Sequence, residues 1–200
     1  CQLAGLEIKK IALPEEDGFE LNLPAIESEL KGNEFVFIGQ PNNPTGLLCR
    51  TDEVHELASR NPSTLFVIDE AFADFVNEIN SFTRYRNGNI IVLRSLTKFY
   101  AIPGLRLGFV ISNRDTIDRM RMFLPPWSVN ALAQAVGELA LSEDDYGKRT
   151  RELVKAERES LSRDLQSIAG LTVYPGTANF LLVRIDRGGI DASILSQRML

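Results

Sequence analysis

Ser95-Leu96-Thr97-Lys98-Phe99-Tyr100-Ala101-Ile102-Pro103-Gly104-Leu105-Arg106 sets one lysine among apolar and aromatic neighbours and an arginine eight residues later. Apolar surroundings desolvate an amine, favour its neutral form and suit it to attack a carbonyl. The planar donor fork of Arg106 suits a phosphate, and Ser95 adds a hydroxyl. A loop lysine on the surface and a salt-bridged strand arginine would each be ordinary alone. Their joint occurrence at this spacing points to chemistry. The stretch follows residues 90–94, an apolar β-rich run that ends where it begins.

Two further segments stand in the same relation to an apolar run. Pro41-Asn42-Asn43-Pro44-Thr45-Gly46 follows Phe35–Gly39, and Asp69-Glu70-Ala71-Phe72 closes Leu65–Asp69. The first could be only a tight turn, yet a turn does not require the Asn43 amide that it presents. In the second, a carboxylate at the tip of a buried strand must be solvated, paired or hydrogen-bonded. Asp69 could be a helix cap or the partner of a cationic ring nitrogen.

The runs Phe35-Val36-Phe37-Ile38 and Leu65-Phe66-Val67-Ile68 are continuously apolar, as in strands buried on both faces of a parallel sheet. Residues 8–13 and 106–111 are further strand candidates. Helical patterns at residues 23–30, Thr51–Arg60 and 114–123 lie between the runs, with Thr51 and Asn113 as N-caps and Asp52 and Glu53 in a first turn. Strand and helix in alternation predict an α/β domain whose ligands collect at the carboxyl ends of the strands.

The pattern changes after Phe123. Leu124-Pro125-Pro126-Trp127 is a rigid break, followed by a helix over 129–141 and a long amphipathic stretch over 144–168. Strand candidates follow at 171–174 and 180–184, then a helix from near Ile190. The division predicted is a first domain at 1–143 and a second, incomplete one at 144–200. Position 1 is Cys and the chain stops inside that last helix, so it reads as an internal piece of a longer polypeptide.

The net charge is -5 and no basic run is present, which gives no sign of a nucleic-acid partner. No apolar stretch approaches the roughly 18 residues of a membrane span. Cys1 and Cys49 lack metal-like or disulfide-like spacing, favouring a reducing cytoplasm. His55, the one histidine, reads as lying on an exposed helix face, and a histidine metal site or Ser-His-Asp triad lacks partners.

The three segments, in order from Asn43 to Arg106, resemble the signature of fold-type I enzymes dependent on pyridoxal 5'-phosphate (PLP), the aspartate aminotransferase superfamily. The resemblance implies a mainly parallel sheet flanked by helices, followed by the start of an α+β small domain. It implies that Lys98 forms the Schiff base, Asp69 pairs with the pyridine nitrogen and Asn43 binds the phenolic oxygen. Ser95 and Arg106 would hold the cofactor phosphate. It further implies a homodimer with shared active sites, and its threonine-phosphate decarboxylase and histidinol-phosphate aminotransferase groups imply a small amino-acid phosphate as substrate.

Within the superfamily, the segments Asp69-Glu70-Ala71-Phe72-Ala73-Asp74-Phe75, Ser95 to Gly108 and Pro126-Trp127-Ser128-Val129-Asn130-Ala131-Leu132 resemble the threonine-phosphate decarboxylase group of cobalamin biosynthesis. Histidinol-phosphate aminotransferases come next. Most aminotransferases of this type carry Tyr where Phe72 stands, so one donor to the phenolic oxygen is missing. Asn179, ahead of an apolar run, is a weaker candidate for the substrate carboxylate. Trp127 and Asn130 would approach the pocket, a dimer interface or the core, and Tyr100 is near Lys98 in sequence. The superfamily's phosphate loop and substrate-carboxylate arginines have no match in this chain.

Overall fold

In the computed structural model, which describes residues 5–77, 79–85 and 88–199, the apolar runs become strands. Strands β1 (Phe35–Gly39), β2 (Leu65–Asp69) and β3 (Ile90–Ser95) lie side by side in parallel, and β4 (Gly108–Ile111) adds an antiparallel edge beside β3. Gly39 is level with Asp69, and Asp69 with Leu93, so the carboxyl ends of the three parallel strands share one edge. Helix α1 (Leu23–Glu27) precedes β1, and α2 (Thr51–Arg60) connects β1 to β2.

One face of this sheet carries the main core. Ile38, Phe66, Ile68, Ile90 and Val92 point to it at the two-residue period of strands and meet Ile26, Val54, Leu57, Ala58 and Phe82. Burying each large side chain contributes about 1.5–3 kcal/mol relative to leaving it in water. Glu34 accepts from the backbone N–H groups of Lys31, Gly32 and Asn33 and from the Thr64 hydroxyl.

Downstream come α3 (Arg114–Arg121), α4 (Ala131–Ser142), α5 (Asp144–Gln166), an antiparallel pair β5 (Leu171–Val173) and β6 (Val183–Ile185), and α6 (Ala192–Met199). Asn113 caps α3 by accepting from the Thr116 N–H, and Asn130 caps α4 by accepting from the Ala133 N–H. The chain is therefore α/β with a mostly parallel sheet and a second, two-stranded sheet.

Several expectations require correction. Residues 8–13 are not a strand: no strand pairs with them among the described residues, Ile8 is exposed, and Ile11 packs on the core instead. Strand β1 is not buried on both faces. Phe35 and Phe37 are 52% and 60% exposed, because β1 is the outer strand here and its second face is uncovered. Thr51 is the first residue of α2, not its cap; Arg50 holds the cap position and the Thr51 hydroxyl donates to the Asn80 carbonyl. Strand β4 begins at Gly108, since Arg106 has a left-handed φ of 54° that no ladder accommodates. Strand β6 begins at Val183, since Phe180 turns away to pack on Phe72. Helix α1 stops at Glu27 and α3 at Arg121, short of the expected ends. His55 is half-buried and stacks on Tyr85 with ring centroids 4.0 Å apart. Trp127 is not a core residue, being 92% exposed. Cys1 lies outside the described residues.

Candidate active site

The strand register decides what meets what. The backbone ladder continues one residue past the strands, with Gln40 N–H donating to the Asp69 carbonyl and Glu70 N–H to the Leu93 carbonyl, both at 2.9 Å. The segments 40–46, 70–75 and 95–106 therefore leave the sheet next to one another, at the edge where open α/β sheets bind ligands.

The first segment is a tight turn. Gly46 N–H donates to the Asn42 carbonyl and Asn42 N–H to the Leu47 carbonyl. The Asn42 amide donates to the Thr45 hydroxyl at 3.0 Å. Gly46 has φ 71°, in the left-handed region where a Cβ is disfavoured. Asn43 stands exposed in this turn. At the tip of β2, Asp69 is exposed and its Oδ1 accepts from the Ala71 N–H at 2.9 Å, which orients the carboxylate along the same edge.

Lys98 Nζ donates to Ser95 Oγ at 3.3 Å and lies 5.2 Å from the centroid of the Phe72 ring. Ser95 Oγ also shares a hydrogen bond with Thr97 Oγ1 at 2.8 Å. Thus three of the expected residues (Lys98, Ser95 and Phe72) are in direct contact, and Phe72 follows Asp69 by three positions. The apolar environment expected around Lys98 is narrower than the sequence suggested. The side chain is exposed, and the Phe72 ring is the apolar surface its nitrogen faces.

Arg106 is brought to the same end by the β3–β4 pairing. Ser95 is level with Gly108, and Leu96 N–H donates to the Leu107 carbonyl at 3.2 Å. The Arg106 guanidinium is exposed and donates to the Pro103 carbonyl at 3.3 Å. Ala101 and Arg106 both have φ near 54°. A left-handed non-glycine residue costs about 1–3 kcal/mol, and such strain concentrates at functional sites. Among the described residues, Lys98, Asp69 and Arg106 are in no ion pair. Asn179 is exposed, and among the described residues it makes no hydrogen bond to Lys98 or Asp69. Its neighbour Phe180 meets Phe72 edge-on, with centroids 5.0 Å apart.

Sequence reasoning missed what supports these residues. Glu70 is fully buried and accepts from Ser81 Oγ, the Phe82 N–H and Arg94 Nη1. Arg94 also pairs with Asp74. Burial pushes the Asp74 carboxyl above its usual range, opposed by the neighbouring Arg94 and Arg151 guanidiniums. Helix α5 closes the rear: Tyr146 Oη donates to the Phe99 carbonyl and Arg151 Nη1 to the Asp74 carbonyl. Tyr100 stacks on Tyr146. The signal available was the acidic pair Asp69-Glu70 at a strand end, whose alternation sends one carboxylate outward and the next inward.

The edge thus gathers an amine able to bond a carbonyl and a carboxylate able to hold a cationic nitrogen. It also carries an amide, a hydroxyl and a guanidinium able to hold anionic oxygens. Among the described residues, no group of three or more His, Cys, Asp and Glu side chains could hold a metal ion, and no helix is long and apolar enough to cross a membrane.

Known proteins resemble the chain over most of its length. A family model described as aminotransferase class I and II matches residues 1–199. The threonine-phosphate decarboxylase of Salmonella typhimurium is 41% identical over 204 residues, covering 98% of this chain and 56% of that protein. The crystal structure of L-threonine-O-3-phosphate decarboxylase from Porphyromonas gingivalis superposes with TM-score 0.75 at 28% identity, over 86% of this chain and 54% of that one. Histidinol-phosphate aminotransferase from Sinorhizobium meliloti, solved with pyridoxal-5'-phosphate, gives TM-score 0.74 at 25% identity, over 86% of this chain and 46% of that one. The chain therefore spans about half the length of these relatives.

Proposed function

The chain belongs to the class I and II aminotransferase family, and we propose that its protein binds PLP at Lys98 and decarboxylates L-threonine O-3-phosphate to (R)-1-aminopropan-2-yl phosphate. The observation that carries this reading is the Lys98 amine against Ser95 Oγ and the Phe72 ring, at the sheet edge that Asp69 ends. The 41% identity to a threonine-phosphate decarboxylase supports the choice of reaction.

The residues fit the cofactor by their chemistry, and among the described residues no ion pair occupies Lys98, Asp69 or Arg106. Bound here, PLP supplies an electron sink for negative charge developing at the substrate α-carbon. Asp69 holds a proton on the ring nitrogen; its Oδ1 is already oriented by the Ala71 N–H. Asn43 donates its amide to the phenolic oxygen. Ser95 and Arg106 bind the phosphate, a task for which a hydroxyl and a bidentate guanidinium are suited. The Lys98 amine would hold the aldehyde end, and its Nζ could hold or move a proton beside the substrate. Ser95 Oγ, 3.3 Å away, orients that nitrogen. Asn179 belongs to the substrate side of the pocket. The protein acts as a homodimer in the cytoplasm, and its two units divide near residues 143–144.

A second reading is transamination of histidinol phosphate or a related amino acid, favoured by the likeness to the Sinorhizobium enzyme. The product from the intact, PLP-loaded protein separates them. Release of CO2 from L-threonine O-3-phosphate is the expected result. Conversion of the bound cofactor to its amine form by glutamate, without CO2, would establish the second reading in its place.

A further inference from the structure

Residues 176–180 lie between β5 and β6, and three contacts fix them against the site. A Cβ on Gly46 would stand 2.9 Å from the Gly176 Cα, so the two backbones touch. Thr177 donates both its N–H and its hydroxyl to the Gly46 carbonyl, at 2.9 Å and 2.7 Å. Phe180 packs edge-on against Phe72, whose ring in turn faces Lys98 Nζ. The segment therefore abuts both the turn that presents Asn43 and the residue beside the lysine.

A fourth contact comes from outside. Arg158 of α5 donates through Nη1 to the Thr177 carbonyl at 3.1 Å and the Ala178 carbonyl at 2.8 Å. Ala178 is fully buried, where an unpaired carbonyl would be costly. Arg158 lies two helical turns beyond Arg151, which holds the Asp74 carbonyl. One face of α5 thus ties the 176–180 segment to the residues after β2, across about 10 Å of helix.

We infer that Arg158 is a positioning residue: by holding the carbonyls of Thr177 and Ala178 it sets where Asn179 and Phe180 stand relative to the Phe72–Lys98 pair, and so shapes the substrate side of the pocket. The inference rests on the reading of Lys98 as the cofactor-bearing lysine. Arg158 touches neither cofactor nor substrate and acts through the segment it holds. Because Nη1 alone serves both carbonyls, a lysine ammonium can replace it in kind, whereas methionine fills similar space without a donor.

The test uses the intact, PLP-loaded protein and whichever of L-threonine O-3-phosphate and histidinol phosphate it turns over. Arg158→Met should raise KM about tenfold with kcat within about threefold, and Arg158→Lys should restore most of the difference. Phe180→Leu should raise KM as well. The double variant should be no worse than the poorer single one, because both changes release the same segment. An Arg158→Met protein with lowered thermal midpoint but wild-type KM would overturn the inference, as would KM effects that multiply in the double variant. Lys98→Ala is the control. If it keeps the wild-type cofactor absorption and turnover, the reading of the site has failed instead.

Discussion

At the scale of single residues, Phe72 is the departure with the clearest consequence. Its ring lies between Lys98 and Phe180 and offers no hydroxyl. A tyrosine there would donate to the phenolic oxygen of the cofactor and lower the charge it holds, so a proton nearby would be bound less tightly. Phe72→Tyr should therefore lower the pH midpoint at which the bound cofactor's visible absorption titrates. A spectroscopic titration with an unchanged midpoint would count against this role. Glu70 tests the support behind the site. It is fully buried with Arg94 as its ionic partner. Glu70→Gln removes one of the two carboxylates on Arg94, Asp74 being the other, and should cost about 1–3 kcal/mol in urea unfolding.

At the scale of elements, Gly108 and Glu34 mark where the sheet is most exposed to damage. A Cβ on Gly108 would stand 2.6 Å from the Arg94 carbonyl oxygen across the β3–β4 ladder. Gly108→Ala must part the strands that carry Ser95 and bring Arg106 to it, and should lower stability by about 1–3 kcal/mol. Glu34 ties the turn before β1 together. Burial pushes its carboxyl up, but the backbone N–H groups of Lys31 and Asn33 and the Thr64 hydroxyl outweigh this, and it falls from 4.5 to about 2. A depressed carboxylate contributes stability that is fully present above its unfolded value and is lost as pH falls. The unfolding midpoint should accordingly decline from about pH 4.5 to about pH 2, and Glu34→Gln should flatten that decline.

The elements also show what the sequence could carry. The bounds of β1, β2 and α2 were legible because their apolar spacing is dense and their ends are marked by Gly39, Asp69 and Asn61. Lys98 lies against Ser95 and the Phe72 ring, from two segments that the sequence sets after strands. What escaped depends on partners distant in sequence. Residues 8–13 have strand-like composition but pair with no strand among the described residues, and Phe180 leaves the β5–β6 ladder for a ring more than a hundred positions away. The Glu70–Arg94–Asp74 group was legible only in part: strand alternation turns Asp69 and Glu70 to opposite sides, but charge alone does not name Arg94 and Asp74 as partners. The exposure of Phe35 and Phe37 likewise depends on what stands beside β1, which an apolar run cannot specify.

At the scale of the whole molecule, the site is assembled from three strand ends, one strained hairpin and a segment between β5 and β6, with α5 behind them. The register of a parallel sheet, rather than any one loop, brings the first three of these segments together. The central claim is that Lys98 is the amine that bonds the cofactor. It is tested most directly by incubating the intact protein with PLP, reducing with borohydride and mapping the phosphopyridoxyl adduct by peptide mass spectrometry. The account predicts a single adduct on Lys98, absent when Asp69 and Lys98 are both replaced by alanine. An adduct on another lysine, or none under conditions where the protein is folded, would contradict it.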